Sequence, residues 1–292
     1  MLAIICSVDC LMKESTKGGR KGIQWTPWTQ LEDLDFADDL ALLSHTHDQM
    51  QAKTSAINSI SASIGLKIHP GKSKVLRVGA PEREQIKIEE HALEEVESFC
   101  YLGSIIDKEG GTAAEIKARI GKAQGAFISL SKLWRTKDIS LGTKLRIFNS
   151  NVKSVLLYGC ETWNASSSCI KRIQVFINKC LRRLLRIRWT DRIRNEEVWR
   201  RTRQTPIGDE IGRRRWKWIG HTLRKPVNNI TRKALDWNPQ GKRSRGRPRG
   251  TWRRVRESDV LRSGQTWNDV KKLAQDREKW KEFVGGLYPG PG

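Results

Sequence analysis

The charge of this chain is concentrated in one block. Lys171 to Arg262 holds 29 basic and 8 acidic residues, a net +21, whereas the rest of the chain holds 26 and 24. Like charges at that density repel, so such a segment closes only on an apolar stripe, with a polyanion to neutralise the outside. The stripe is there. From Ser168 to Ile187, Ile173, Phe176, Ile177, Cys180, Leu181, Leu184 and Leu185 recur at spacings of three and four, the period of a helix with one buried face. Nucleic acid is the default intracellular polyanion, and counterion release drives its binding to such a block; a ribosomal-type or merely solvated surface is the alternative reading.

The whole chain has 292 residues, a net charge of +23 and 37% hydrophobic residues. That is about two domains. No stretch approaches the roughly 20 apolar residues of a membrane-spanning helix, so no membrane partner is expected. The apolar start Leu2–Val8 is interrupted by Asp9 and lacks a preceding basic residue, which argues against a secretory signal. Six cysteines (6, 10, 100, 160, 169 and 180) form no C-x-x-C pair. Reduced thiols in the nucleus or cytoplasm, or both, are the reading. Neither His45 and His47 nor Cys160, Cys169 and Cys180 has zinc-site spacing.

The pattern changes near residue 111. Before it lie short alternating runs: Ile23–Trp28, the two halves of Leu31–Leu43, Lys67–Val78 with a turn inserted at His69–Gly71, Ile86–Ile88 and Val96–Ile106. One helix interrupts them, from Thr46 to Leu66, with Met50, Ile57, Ile60 and Ile64 on its apolar side. After it, helices are predicted at Ile116–Trp134, Leu141–Leu157, Ser168–Ile187, Glu196–Arg203, Ile207–Arg224 and Trp267–Phe283. Asn238–Arg249 reads as an extended linker. The fold class is therefore α+β, with a small sheet domain (1–111), a helical region (112–165) and a basic, mostly helical region (166–292) with its linker at about 238–250.

Phe36-Ala37-Asp38-Asp39 places adjacent carboxylates between two apolar runs. Such a pair is costly unless a cation sits against it, and hard oxygen ligands suit Mg²⁺ beside substrate phosphates; taken alone, the pair reads equally as a solvated acidic turn. Downstream come Gly65-Leu66-Lys67-Ile68-His69-Pro70-Gly71-Lys72 and Phe99-Cys100-Tyr101-Leu102-Gly103. In this order and spacing the three motifs resemble the catalytic turn, the lysine motif and the primer-grip hairpin of non-LTR retrotransposon (LINE-type) reverse transcriptases. Leu156–Trp163 and Arg214–His221 resemble the region that follows the polymerase in the same elements.

The resemblance implies a partial palm sheet, a thumb at 112–165 and a basic tail. It assigns Asp38 and Asp39 to metal and catalysis, and Lys72 to the leaving pyrophosphate, a position that reads equally as a loop lysine. Phe99, Tyr101, Leu102 and Gly103 shape the hairpin at the primer end. Lys117, Lys122 and Lys132 face the template–primer duplex or solvent. Mg²⁺ is the implied cofactor. RNA template, DNA primer or target DNA, and dNTP in a complete enzyme, are the implied partners. The third aspartate of the family's palm has no clear counterpart; Asp9 is the one upstream candidate, so the chain alone is expected not to polymerise. The alternative is a non-catalytic nucleic-acid-binding protein derived from such an element.

The basic region supplies the binding candidates Arg213, Arg214, Arg215, Lys217, Arg243, Arg245, Arg247, Arg249, Arg253 and Arg254, with Trp189, Trp199, Trp216, Trp218, Trp237 and Trp252 interleaved. Arginine forks pair with phosphates and indoles stack on bases. Trp216 and Trp218, at helical spacing with Ile219, read better as core. Arg245-Gly246-Arg247-Pro248-Arg249 resembles a minor-groove AT-hook and reads equally as a flexible basic linker or an import signal.

Overall fold

A computed structural model describes residues 21–25, 29–37, 39–79, 84–237 and 252–290. Asp9, Asp38, Arg243, Arg245, Arg247 and Arg249, with the AT-hook-like run and the 238–250 linker, lie outside the described residues. The chain divides into two compact units. One comprises residues 1–110 with 237–245, the other 111–236 with 246–292. Among the described residues no helix is long and apolar enough to cross a membrane.

In the first unit the strands pair only in twos. β1 (Ile23–Gln24) pairs with β2 (Gln30–Leu31), and β3 (Asp33–Phe36) with β4 (Asp39–Leu42). The turn expected at His69–Gly71 inside the Lys67–Val78 run is a 3-10 turn, Pro70–Lys72, and of the strand around it only the two-residue β5 (Lys74–Val75) forms. Pro70 explains the turn: its fixed φ suits the first turn of a helix, and it cannot donate to a ladder. β6 (Lys87–Ile88) pairs with β7 (His91–Ala92), β5 runs parallel to β8 (Glu94–Glu95), and β9 (Ser98–Tyr101) pairs with β10 (Ser104–Asp107). Helix α1 (His47–Ser63) opens on a capping box between Thr46 and Gln49, and Gly65 follows it at φ 77. Ile57 anchors a small cluster with Leu42, Ile60 and Ile68, and Ile86, Ile88 and Leu93 form another.

The second unit is helical: α2 (Ala113–Ser129), α3 (Ser131–Arg135), α4 (Leu141–Ile147), α5 (Ser154–Leu156), α6 (Ser167–Leu184), α7 (Asn195–Thr202), α8 (Ile207–Leu223), α9 (Ile230–Asp236), α10 (Trp252–Arg262), α11 (Trp267–Leu273) and α12 (Arg277–Leu287). A π segment, Phe148–Lys153, links α4 to α5. The single helix expected over Trp267–Phe283 is two, because Asp276 accepts from the amides of Glu278 and Lys279 and starts a new one.

Residues of the 112–165 stretch and of the basic region share one core, with Ile116, Phe127, Trp134, Phe148 and Leu156 among the first and Ile173, Ile177, Leu181 and Ile207 among the second. A second core gathers Trp216, Ile219, Leu223, Val260, Val270, Trp280 and Val284. Helix α8 spans both, with Ile207 and Ile211 in the first and Trp216 onward in the second.

Helices α8 and α12 meet closely because glycines face aromatics. A Cβ at Gly220 would overlap the indole of Trp280, and one at Gly212 the ring of Tyr288. Gly220→Ala should therefore lower the stability of this unit by about 1–3 kcal/mol through overpacking. Gly125→Ala, on an open face of α2, should raise it by about 0.5–1 kcal/mol. Urea denaturation followed by circular dichroism reads both. Equal effects at the two positions would contradict the packing.

Candidate functional site

The carboxylate hairpin is β3–β4. Phe36 lies opposite Asp39 and Asp35 opposite Leu40, so each pair shares a face of the ribbon. Ala37, which follows Phe36, takes φ 56, in the left-handed region suited to a hairpin turn. Asp39 is exposed and Phe36 is 64% exposed.

The second hairpin, β9–β10, turns through Leu102 at φ 48 and Gly103 at φ 78 between the paired Tyr101 and Ser104. Two consecutive positive φ values are the signature of the tight two-residue hairpin loop; glycine adopts its half freely and Leu102 adopts its own under strain. Tyr101 then reaches back: its Oη donates to the carbonyl of Leu34 on β3 at 3.2 Å. Burial pushes the Tyr101 phenol above its usual range, and the charges of Asp39, Asp35 and Asp33 push the same way. The phenol therefore stays protonated and keeps donating. Phe99 is half-buried, Leu102 exposed.

The structure thus brings Asp39 and Tyr101 into one neighbourhood. Lys72 is exposed at the end of its 3-10 turn, its backbone amide donating to His69 at 3.0 Å. Among the described residues it makes no ion pair or hydrogen bond with Asp39 or Tyr101.

Asp33, Asp35 and Lys53 were not singled out from the sequence. The carboxyl of Asp33 is pushed up by burial and by Asp35, with Lys53 opposing. Lys53 is 2% exposed. Its Nζ donates to the carbonyls of Glu32 (2.9 Å) and Leu43 (2.6 Å) and pairs with the Glu32 carboxylate. It therefore ties both ends of the β3–β4 ribbon to α1. The signal was available: Lys53 falls three after Met50 and four before Ile57, on the apolar stripe. Carboxylate oxygens suit a hard divalent ion, yet among the described residues no three potential ligands converge on one point.

In the helical unit the named cations divide by helix face. Arg215 is 5% exposed, donates to the carbonyl of Trp163 at 2.9 Å and is pushed below its usual range by burial. It is an interior residue, which corrects its expected place on the binding surface. Its neighbour Trp216 is buried, donating to Asp259 at 2.8 Å, and Trp218 is half-buried. Arg213 donates to the carbonyls of Tyr288 and Pro289, Arg214 pairs with Glu210 at 3.0 Å, and Arg253 with Glu257 at 2.8 Å. Arg254, Lys217, Lys117, Lys122 and Lys132 are exposed.

Further cations line the outer side of α6, where Lys171, Arg172, Lys179 and Arg183 are all exposed. Beyond its end, Trp189 is 91% exposed between Arg188 and Arg192. The thiols of Cys160 and Cys180 are pushed up to about 12 by burial, and Cys169 is buried too. These cysteines serve packing.

Because Lys53 holds the ribbon ends, Lys53→Met should cost the first unit about 3–5 kcal/mol, leaving a partly buried Glu32 without its partner. Glu32→Gln combined with Lys53→Met should cost less than the two single changes summed. Hydrogen exchange at the Leu43 amide, which bonds Glu32 at 2.8 Å, reads the outcome; strict additivity would contradict the pairing.

Two comparisons bear on this arrangement. Residues 126–158, from the end of α2 through α5, match a family model described as a domain of unknown function (DUF6451). Along most of its length the chain is similar to an uncharacterized transposon-derived protein of Caenorhabditis elegans, 26% identical over 273 residues, which is 87% of this chain and 95% of that relative.

Proposed function

We propose that this chain is the nucleic-acid-holding part of a transposable element's RNA-directed DNA polymerase, of the non-LTR retrotransposon type. The similarity to a transposon-derived protein over 87% of the chain supports the element origin. The polymerase reading rests on the three motifs, and the hydrogen bond from Tyr101 to Leu34 supports it. By resemblance the catalytic-turn and primer-grip motifs both serve the primer end, and here they lie within reach of each other. Asp39, with Asp38, would hold Mg²⁺ in a catalytic assembly.

The observation that carries the binding role is Trp189. An indole 91% exposed among arginines buries nothing in this chain. Between exposed Arg188 and Arg192, a few residues past the end of α6, it suits a base stacked on the ring with phosphates on the guanidinium groups. The substrate is then a single strand or the unpaired end of a primed template.

A primed RNA template with a single-stranded overhang tests this. Trp189→Ala should weaken binding by about 5- to 150-fold, the range for one lost stacking contact, without lowering thermal stability. Asp39→Ala should leave binding within about twofold, since one carboxylate among many cations adds little to the affinity. An unchanged affinity in Trp189→Ala would contradict the stacking role. Template-directed dNTP incorporation by the wild-type chain, lost in Asp39→Ala, would replace the holding role with a catalytic one.

A further inference from the structure

Helices α8 and α12 enclose a cleft of about 390 Å³ on one side of their contact. Four cations line it, Arg213, Lys217 and Arg224 from the α8 side and Lys281 from α12, and none of its lining residues carries a carboxylate. The α8 residues fall at i, i+4 and i+11, on one face of the helix. The floor includes Trp280 and Val284, both buried. The indole N–H of Trp280 is occupied by the carbonyl of Trp216 at 3.1 Å, so the floor is fixed and offers no donor of its own there.

The cations are of two kinds. Arg213 and Arg224 are held by backbone carbonyls, Arg213 on Tyr288 and Pro289, Arg224 on Ala274 at 2.9 Å. A guanidinium has five N–H donors, so both keep donors to spare. Lys217 and Lys281 are exposed and have no ion pair or hydrogen bond among the described residues. Four positive groups around one small cavity repel one another, and an anion converts that repulsion to attraction. The volume lies at the small end of ligand pockets, and an apolar floor below a cationic rim matches one nucleotide unit, its base or sugar on the floor and its phosphate at the rim.

We propose that this cleft binds a nucleotide unit of a nucleic-acid strand. The proposal rests on the nucleic-acid-holding role above and gives it a second, separate site. Gly285 also lines the cleft, with open space where a Cβ would stand. A side chain there would occupy the space without changing charge.

The test is fluorescence anisotropy with a labelled single-stranded oligonucleotide, at several salt concentrations, on the full chain. Lys217→Glu with Lys281→Glu should weaken binding at least tenfold and make the slope of log affinity against log salt shallower by about two. Gly285→Leu should weaken binding about threefold or more with the charge unchanged. Lys272→Glu with Arg277→Glu alters two exposed cations that do not line the cleft; it should cost clearly less than the cleft pair. Circular dichroism confirms the folding of each variant. Equal losses in the two charge-reversal pairs, with Gly285→Leu silent, would overturn the cleft while leaving the general role intact. Failure of the wild-type chain to bind the oligonucleotide would overturn both. Adenosine monophosphate at millimolar concentration should not displace the strand; displacement at micromolar concentration would overturn the strand as occupant.

Discussion

Self-repulsion among cations is the constraint around which the helical unit is built. A block of net +21 closes because its helices bury their apolar stripes and turn most of their charge outward. Each large apolar side chain withdrawn from water contributes about 1.5–3 kcal/mol, and α6 alone buries Ile173, Ile177, Leu181 and Leu184. Cations that do enter the interior are met by carboxylates, carbonyls or rings: Lys153 pairs with Glu210 and Arg119 with Glu115. Arg215 lies on the Trp163 carbonyl, and Arg256 on that of Leu235 and over the ring of Trp267. What remains outside is a surface with more positive charge than its own carboxylates can neutralise.

Packing and the proposed binding cleft thereby meet on one helix. The inner residues of α8, from Ile207 to Leu223, join two cores, and its Gly212 and Gly220 let the ring of Tyr288 and the indole of Trp280 sit against the backbone. Its other side carries Arg213 and Lys217 to a cleft. In the first unit, one buried cation does the corresponding work: Lys53 fastens the carboxylate ribbon, and Tyr101 ties the second hairpin to the first.

Much of the helical unit was legible because period-3.6 burial is local information. The stripes of α2, α6 and α8 fall within a few residues of where their spacing puts them. The missed pieces have physical reasons. Helices α9 and α10 are short and dense in charge, with little stripe to read. The break before α12 depends on Asp276 turning from an ordinary surface residue into a cap. Strand partners are non-local, so alternation locates the strands without saying that, among the described residues, they pair only in twos. The turn Phe36–Asp39 and the hairpin 98–107 were legible as motifs; the bond between them was not.

The charged site was harder to read. Adjacent residues on a helix point about 100° apart, so a count of arginines cannot separate interior Arg215 from exposed Lys217 two positions on. The same limit hid Lys53, a cation on an apolar stripe, because its partners Glu32 and Leu43 belong to a hairpin rather than to its own helix. Trp189 was named among the tryptophans, yet only the fold shows that, among the described ones, it alone is left almost bare.

Electrostatics is the central term of the proposed binding. Affinity of the full chain for a primed RNA template, measured from low to moderate salt, should fall steeply, with a log–log slope that corresponds to several phosphates neutralised at once. A slope near zero, or no binding at the lowest salt, would contradict it.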